Sequence, residues 1–193
     1  MSWFIIAHLL LFFTFQDKAI FWYIFSASML VLISLSLAKE SIDNSVSIWN
    51  TVLIGSASGV LLFSFFWVGN HLFNFFDLPL TRQVTALYKW YAPKETWHYF
   101  VLMLIIAPGE EIFWRGYIQK RLLVYSRSWM SIPISALMYA SAHLYADYWM
   151  LAFSALFAGV FWGWLYWWKR SLPLVIVSHL IYDFFLFITL PLR

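Results

Sequence analysis

There is no cysteine in these 193 residues. That absence excludes disulfides, cysteine nucleophiles and thiolate metal sites together. Charge is nearly as scarce. Asp, Glu, Lys and Arg make up 11% of the chain, against about 25% in a soluble globular domain. The net charge of +3 is small and spread over short polar breaks, so there is no basic patch for a nucleic acid. No basic residue precedes the first apolar run, the first being Lys18. A cleaved signal peptide is therefore not expected, and that run is read as a retained helix. Strand alternation and low-complexity linkers are also missing. Hydrophobic residues fill 63% of the chain, 13 residues are Trp, and mean hydropathy is +0.76. This composition belongs to an integral, polytopic membrane protein. Trp97, Trp129, Trp149, Trp167 and Trp168 stand near predicted span ends, where amphipathic rings favour the headgroup boundary.

Apolar runs divide the chain into spans, each needing about 20 residues of helix to cross the hydrocarbon. They are Trp3–Phe15, Ala19–Ala38, a run from about Val46 that fades into "GNHLFNFFD", Trp97 to about Tyr125, Trp129–Tyr145, Trp149–Trp168 and Leu174–Leu190. Residues 77–96 interleave charge with Leu78, Leu80, Val84, Leu87 and Tyr88, the pattern of an interfacial helix. Gly55 with Gly59, and Gly159 with Gly163, have small-xxx-small spacing for close helix contact. The expected fold is all-α: a polytopic bundle of about seven transmembrane helices with an interfacial helix. Residues 1–193 are expected to form one integral membrane domain, with its motif-bearing core at about 97–190. Lys39, Lys120, Arg121, Arg127, Lys169 and Arg170 lie in the shorter loops, which places their side in the cytoplasm.

Three polar clusters remain at membrane depth, where a charge costs at least about 2.5–3.5 kcal/mol. They are Glu110, Glu111 and Arg115; His143; and His179 with Asp183. Glu111 and Arg115 are four apart, share a face and can pair. Glu110 points about 100° away and has no partner in its own turn. His179 and Asp183 are also four apart, so the carboxylate can fix the imidazole tautomer. Tyr139 stands four residues before His143 on the same face. Polar side chains inside a bundle can simply glue helices together, but three clusters on three helices point to a site. His98 and His71 read as interfacial, and the isolated His8 is assigned no role.

The stretch Glu110-Glu111-x-x-x-Arg115-Gly116 resembles the first motif of the CPBP family, the CAAX-processing and bacteriocin-processing membrane proteases. The family's Phe-x-x-x-His motif corresponds to Tyr139-x-x-x-His143, with tyrosine for phenylalanine. Its His-x-x-x-Asn/Asp motif corresponds to His179-x-x-x-Asp183. The order is right, each motif lies on its own apolar span, and the resemblance covers about residues 97–190. It implies an intramembrane endopeptidase using a glutamate-activated water, with no cofactor and no obligatory metal. The partners it implies are a peptide or membrane-protein substrate and the lipid bilayer. The expected location is a prokaryotic plasma membrane, crossed several times.

The residues allow this chemistry. No serine is visibly paired with a buried base. Glu110 is the candidate base, because Glu111 already has Arg115. His143 would position the water or carry its proton, and His179 would donate to the oxyanion. Asp183, ionised, cannot donate and is read as the group that orients His179. Glu111, Arg115 and Tyr139 are read as structural or orienting. Three alternatives stay open: a zinc-dependent membrane protease using one Glu and two His, without the short His-Glu-x-x-His arrangement; a non-catalytic binding or immunity protein; and a transporter. Convergence poses a geometric problem. Glu110 lies thirteen residues after Trp97, about 20 Å along a straight helix, and His143 only about 6 Å from Asp147. A kink or change of direction is therefore expected at Pro108–Gly109.

Overall fold

The structure is a computed structural model and describes residues 2–192. It is all-α. An isolated bridge between Asn44 and Ser171 is the one β-type pairing among the described residues. Among the described residues eight helices carry the fold: α1 (Ser2–Gln16), α2 (Phe21–Leu37), α3 (Ile48–Phe75), α4 (Leu80–Tyr91), α5 (residues 96–125), α6 (Ser131–Ala142), α7 (Trp149–Lys169) and α8 (Leu172–Phe184). Among the described residues three stretches are long and apolar enough to cross a membrane: Ile48–Phe75, Trp149–Lys169 and Leu172–Thr189. Trp3–Gln16 and Phe21–Leu37 are shorter apolar helices. No α4 residue is buried, as an interfacial helix requires.

The boundaries follow local chemistry. Ser47 and Ser171 cap α3 and α8, accepting from Asn50 N and Leu174 N, and Pro173 sits in the first turn, where a missing N–H is harmless. At the start of α5, Glu95 and His98 form a reciprocal capping box. His98 also stacks on Trp22 at 4.6 Å. It is thus a cap and a packing residue. Arg170 ends α7 in the left-handed conformation.

α5 is irregular in a specific way. Leu102–Ile106 and Trp114–Gln119 are π-helical turns flanking the α-helical Ala107–Phe113. Pro108 lacks an N–H and its ring crowds the carbonyl four residues back. The turn just before it widens, and Ala107 N bonds Leu102 O. The irregularity expected at Pro108–Gly109 thus takes the form of an extra residue in the preceding turn, and the helix continues to Tyr125.

The core has two apolar halves. One unites Leu11, Met29, Ile106, Phe113 and Trp114 from α1, α2 and α5 with Ala140 of α6. The other unites Leu62, Trp162, Tyr166, Leu174 and Val175 from α3, α7 and α8. Both glycine pairs mark close helix crossings. A Cβ at Gly59 would press on the Ser178 carbonyl oxygen and stand 2.8 Å from Ile181 Cβ, and one at Gly159 would stand 3.1 Å from Ala136 Cα. Large apolar side chains such as Trp49, Leu53, Phe100 and Leu104 face outward, as lipid contact demands.

Candidate active site

α5 brings two adjacent carboxylates to the interior. Glu110 and Glu111 are both buried, and their partners differ. Glu111 Oε1 accepts from Arg115 Nη1 at 3.0 Å, the pair that their four-residue spacing predicts. Arg115 is held further by Gly159 O, 3.4 Å from Nη2. Its guanidinium carbon lies 4.8 Å from the Tyr139 ring centre and 5.4 Å from that of Trp162. Two aromatic faces and one carboxylate therefore surround the buried cation. One turn on, Gln119 Nε2 donates to Gly163 O at 2.8 Å. The stripe Glu111–Arg115–Gln119 thus meets the stripe Gly159–Gly163. Without side chains, the two glycines leave the α7 carbonyls open to α5.

Glu110 turns the other way. Tyr139 Oη donates to its Oε2 at 3.1 Å. His143 Nε2 stands 3.5 Å from Oε1, and His179 Nε2 stands 3.9 Å from Oε2. All three predicted depth clusters therefore meet at this carboxylate, the sequence-based test of convergence. Oε1 accepts no hydrogen bond from the described side chains. Glu110 borders a cavity of about 170 Å³ that also touches His143, His179 and Asp183.

Hydrogen-bond logic fixes the ring nitrogens. His143 Nδ1 is 2.9 Å from Tyr139 O. A carbonyl can only accept, so Nδ1 carries a proton and Nε2 faces Glu110. His179 Nδ1 is 2.8 Å from Glu111 Oε1, so Nδ1 is again the donor and Nε2 again faces the cavity. Asp183, read as the group that orients His179, has its Oδ2 3.6 Å from Nε2, while Nδ1 donates to Glu111. Spacing put Asp183 near the ring. Helix rotation decided which nitrogen it meets.

Two contributors carry no motif signal. Trp162 stacks on His179 at 3.9 Å and donates through Nε1 to Ser178 Oγ at 3.2 Å. Gln119 was readable only as the next polar residue four after Arg115, opposite Gly163. His71 binds its own helix through Trp67 O and is exposed. Among the described residues no group of three His, Asp or Glu side chains is arranged to hold a metal ion.

A second cavity, about 760 Å³ and almost wholly apolar, lies under α4 between α3, α7 and the π turn Phe185–Thr189. Tyr91, Leu151, Ser154, Tyr182, Leu186 and Phe187 line both cavities, so the two share a wall.

Residues 92–185, just under half of the chain, match the family described as Type II CAAX prenyl endopeptidase Rce1-like. No curated protein and no solved structure matches the chain.

Proposed function

We propose that this chain, whose residues 92–185 match the Rce1-like family of type II CAAX prenyl endopeptidases, cleaves a peptide bond at the Glu110 cavity by a glutamate-activated water. The observation that carries this reading is the Glu110 carboxylate, steadied at Oε2 by Tyr139 and faced by the Nε2 atoms of His143 and His179.

A water between Glu110 Oε1 and His143 Nε2 gives up a proton to the carboxylate as its oxygen attacks the scissile carbonyl carbon. The carbonyl oxygen gains negative charge. His179, with Nδ1 on Glu111 and Asp183 beside Nε2, donates to it from Nε2 as the imidazolium. The proton on Glu110 then passes to the leaving amine, directly or through His143. No covalent intermediate forms, which suits a chain without cysteine.

The apolar cavity that shares a wall with the Glu110 cavity supports a substrate with a long hydrocarbon group beside the scissile bond. The family description reads CAAX prenyl endopeptidase, and a prenylated CAAX peptide fits that chemistry. The bilayer is the proposed working medium, and the surplus of Lys and Arg in the shorter loops supports a cytoplasmic position for the side of Lys120 and Arg170.

The test is Glu110→Gln in the full chain, purified and reconstituted in vesicles, with a prenylated, internally quenched CAAX peptide and its unprenylated twin. Cleavage by the wild type, its loss in Glu110→Gln at unchanged thermal stability, and preference for the prenylated peptide are expected. Full activity of Glu110→Gln would reject Glu110 as the base. Equal cleavage of the two peptides would reject the role of the apolar cavity.

A further inference from the structure

His8 lies on α1, outside the family-matched segment, yet both of its ring nitrogens are used. Nδ1 is 2.9 Å from Tyr145 Oη, and Nε2 is 3.2 Å from Ser141 Oγ. Those partners stand two residues after and two residues before His143. Ser141 donates its one hydroxyl proton to Met138 O at 2.8 Å. Its oxygen must therefore accept from His8, which puts the His8 proton on Nε2. Nδ1 is then an acceptor, and Tyr145 donates to it. The chain Tyr145 to His8 to Ser141 to Met138 is fully satisfied in one direction only. Edge contacts with Phe4 at 4.3 Å and Tyr145 at 5.6 Å fix the ring plane.

The segment so clasped needs fixing. At His143 the chain passes from α6 into a single 3-10 turn, His143–Ala146, which ends at Asp147 with φ 62°. Within α6 the backbone ladder sets side-chain positions. In one short turn with poorer hydrogen bonds it does so weakly. Tyr91 Oη adds one tie to this turn, donating to Ala146 O at 3.1 Å. His8 supplies one more to the turn, through Tyr145, and a second to Ser141 at the end of α6, so that its two bonds stand on either side of the site histidine.

We infer that His8 is a positioning residue for His143, acting through Ser141 and Tyr145 and touching no reacting atom. The inference rests on the protease reading for its kinetic consequence, but not for its structural one. A shift of about 1 Å in a positioned catalytic group can cost up to about a hundredfold in rate. Loss of the clasp therefore lowers kcat and leaves KM, set by the apolar cavity, nearly unchanged.

The experiment compares the wild type with His8→Phe, which keeps an aromatic ring but neither hydrogen bond, and with His8→Gln, which keeps one donor and one acceptor. The prenylated quenched peptide reads kcat and KM. Carbethoxylation of His143 by diethyl pyrocarbonate, followed by mass spectrometry, reads its placement without catalysis. His8→Phe is expected to lose about tenfold or more in kcat at constant KM and to change the His143 labelling rate several-fold, with His8→Gln recovering part of both. If His8→Phe folds poorly, Ser141→Ala and Tyr145→Phe each remove one bond from the opposite end, and the same two changes are expected. Unchanged kcat and unchanged His143 labelling in the folded variants overturn the inference. If only thermal stability falls, His8 is a packing residue and the inference fails as well. Glu110→Gln, run alongside, separates this result from failure of the protease reading. If it retains activity, the reading fails, and His143 labelling alone then decides the role of His8.

Discussion

His179 Nδ1 donates to Glu111 Oε1 at 2.8 Å, and Arg115 Nη1 meets the same oxygen at 3.0 Å. One carboxylate oxygen therefore fixes both the buried cation of α5 and the histidine of α8. The second glutamate of the pair is the joint through which two helices are set at one angle, and its neighbour Glu110 is left free for the cavity.

Arg115→Ala breaks that joint. It leaves Glu111 buried without its cation, at about 3–5 kcal/mol, and removes the group stacked between Tyr139 and Trp162. Thermal unfolding in detergent should show a large loss of stability together with low folded yield. Wild-type stability of this variant would mean that Glu111 is neutralised by other means.

Tyr139→Phe tests the hydroxyl on Glu110. A hydrogen bond to a charged group is worth about 1.5–3 kcal/mol, so turnover should fall by about tenfold or more while the fold stays intact. The family motif carries phenylalanine at this place, so a change below twofold would show that the Tyr139 hydroxyl is idle in this chain as well.

Gly59→Ala forces a methyl group against the Ser178 backbone and Ile181. It should cost about 1–3 kcal/mol by overpacking and, because Ser178 precedes His179, should lower activity too. Gly69→Ala is the control, since no atom lies within 4 Å of its added Cβ. Equal melting temperatures for the two variants would refute the close α3–α8 crossing.

Asp43 provides a pH test away from the site. Burial pushes its carboxyl up, but hydrogen bonds from Lys120 and Tyr166, with the charges of Lys120 and Arg170, outweigh that and hold it below its ordinary value. A lowered folded pKa means stability that is fully present above the ordinary carboxylate value of about 3.9 and lost as pH falls through the folded pKa. Melting temperature should therefore drop below about pH 4 in the wild type and drop less in Asp43→Asn. Parallel pH profiles would show that the contacts of Asp43 add nothing.

Metal removal is the remaining prediction. Exhaustive chelation should leave peptide cleavage unchanged. One zinc per chain, lost on His143→Ala or His179→Ala, would transfer the chemistry to a metal-bound water.

The helix boundaries were readable because apolar runs alternate with short polar breaks, and a span of about 20 residues leaves little freedom in placing them. The Glu111–Arg115 pair was readable because it lies within one helix, where spacing fixes which side chains meet. Contacts between helices were not. Glu111 and His179 are 68 positions apart, and nothing local in either says which nitrogen will face which oxygen. That depends on how α5 and α8 are rotated, and two π turns alter the rotation of α5. The same reason hid Trp162 and Gln119, whose neighbours in sequence are ordinary span residues. His8 escaped because its partners belong to a different helix, and an isolated histidine carries no spacing to read.

The π turn before Pro108 has an evolutionary side. A π turn is an α-helix that has accepted one more residue without breaking. Removing one residue from Leu102–Ile106 would let the turn close to ordinary α geometry with both flanks facing as before. Keeping all five residues but closing the turn to α would instead swing everything upstream by about 100° relative to Glu110. Either the capping end with His98 or the glutamate pair would then face the wrong neighbours. The width of this short apolar turn is as much a part of the site as the identity of the glutamates that follow it.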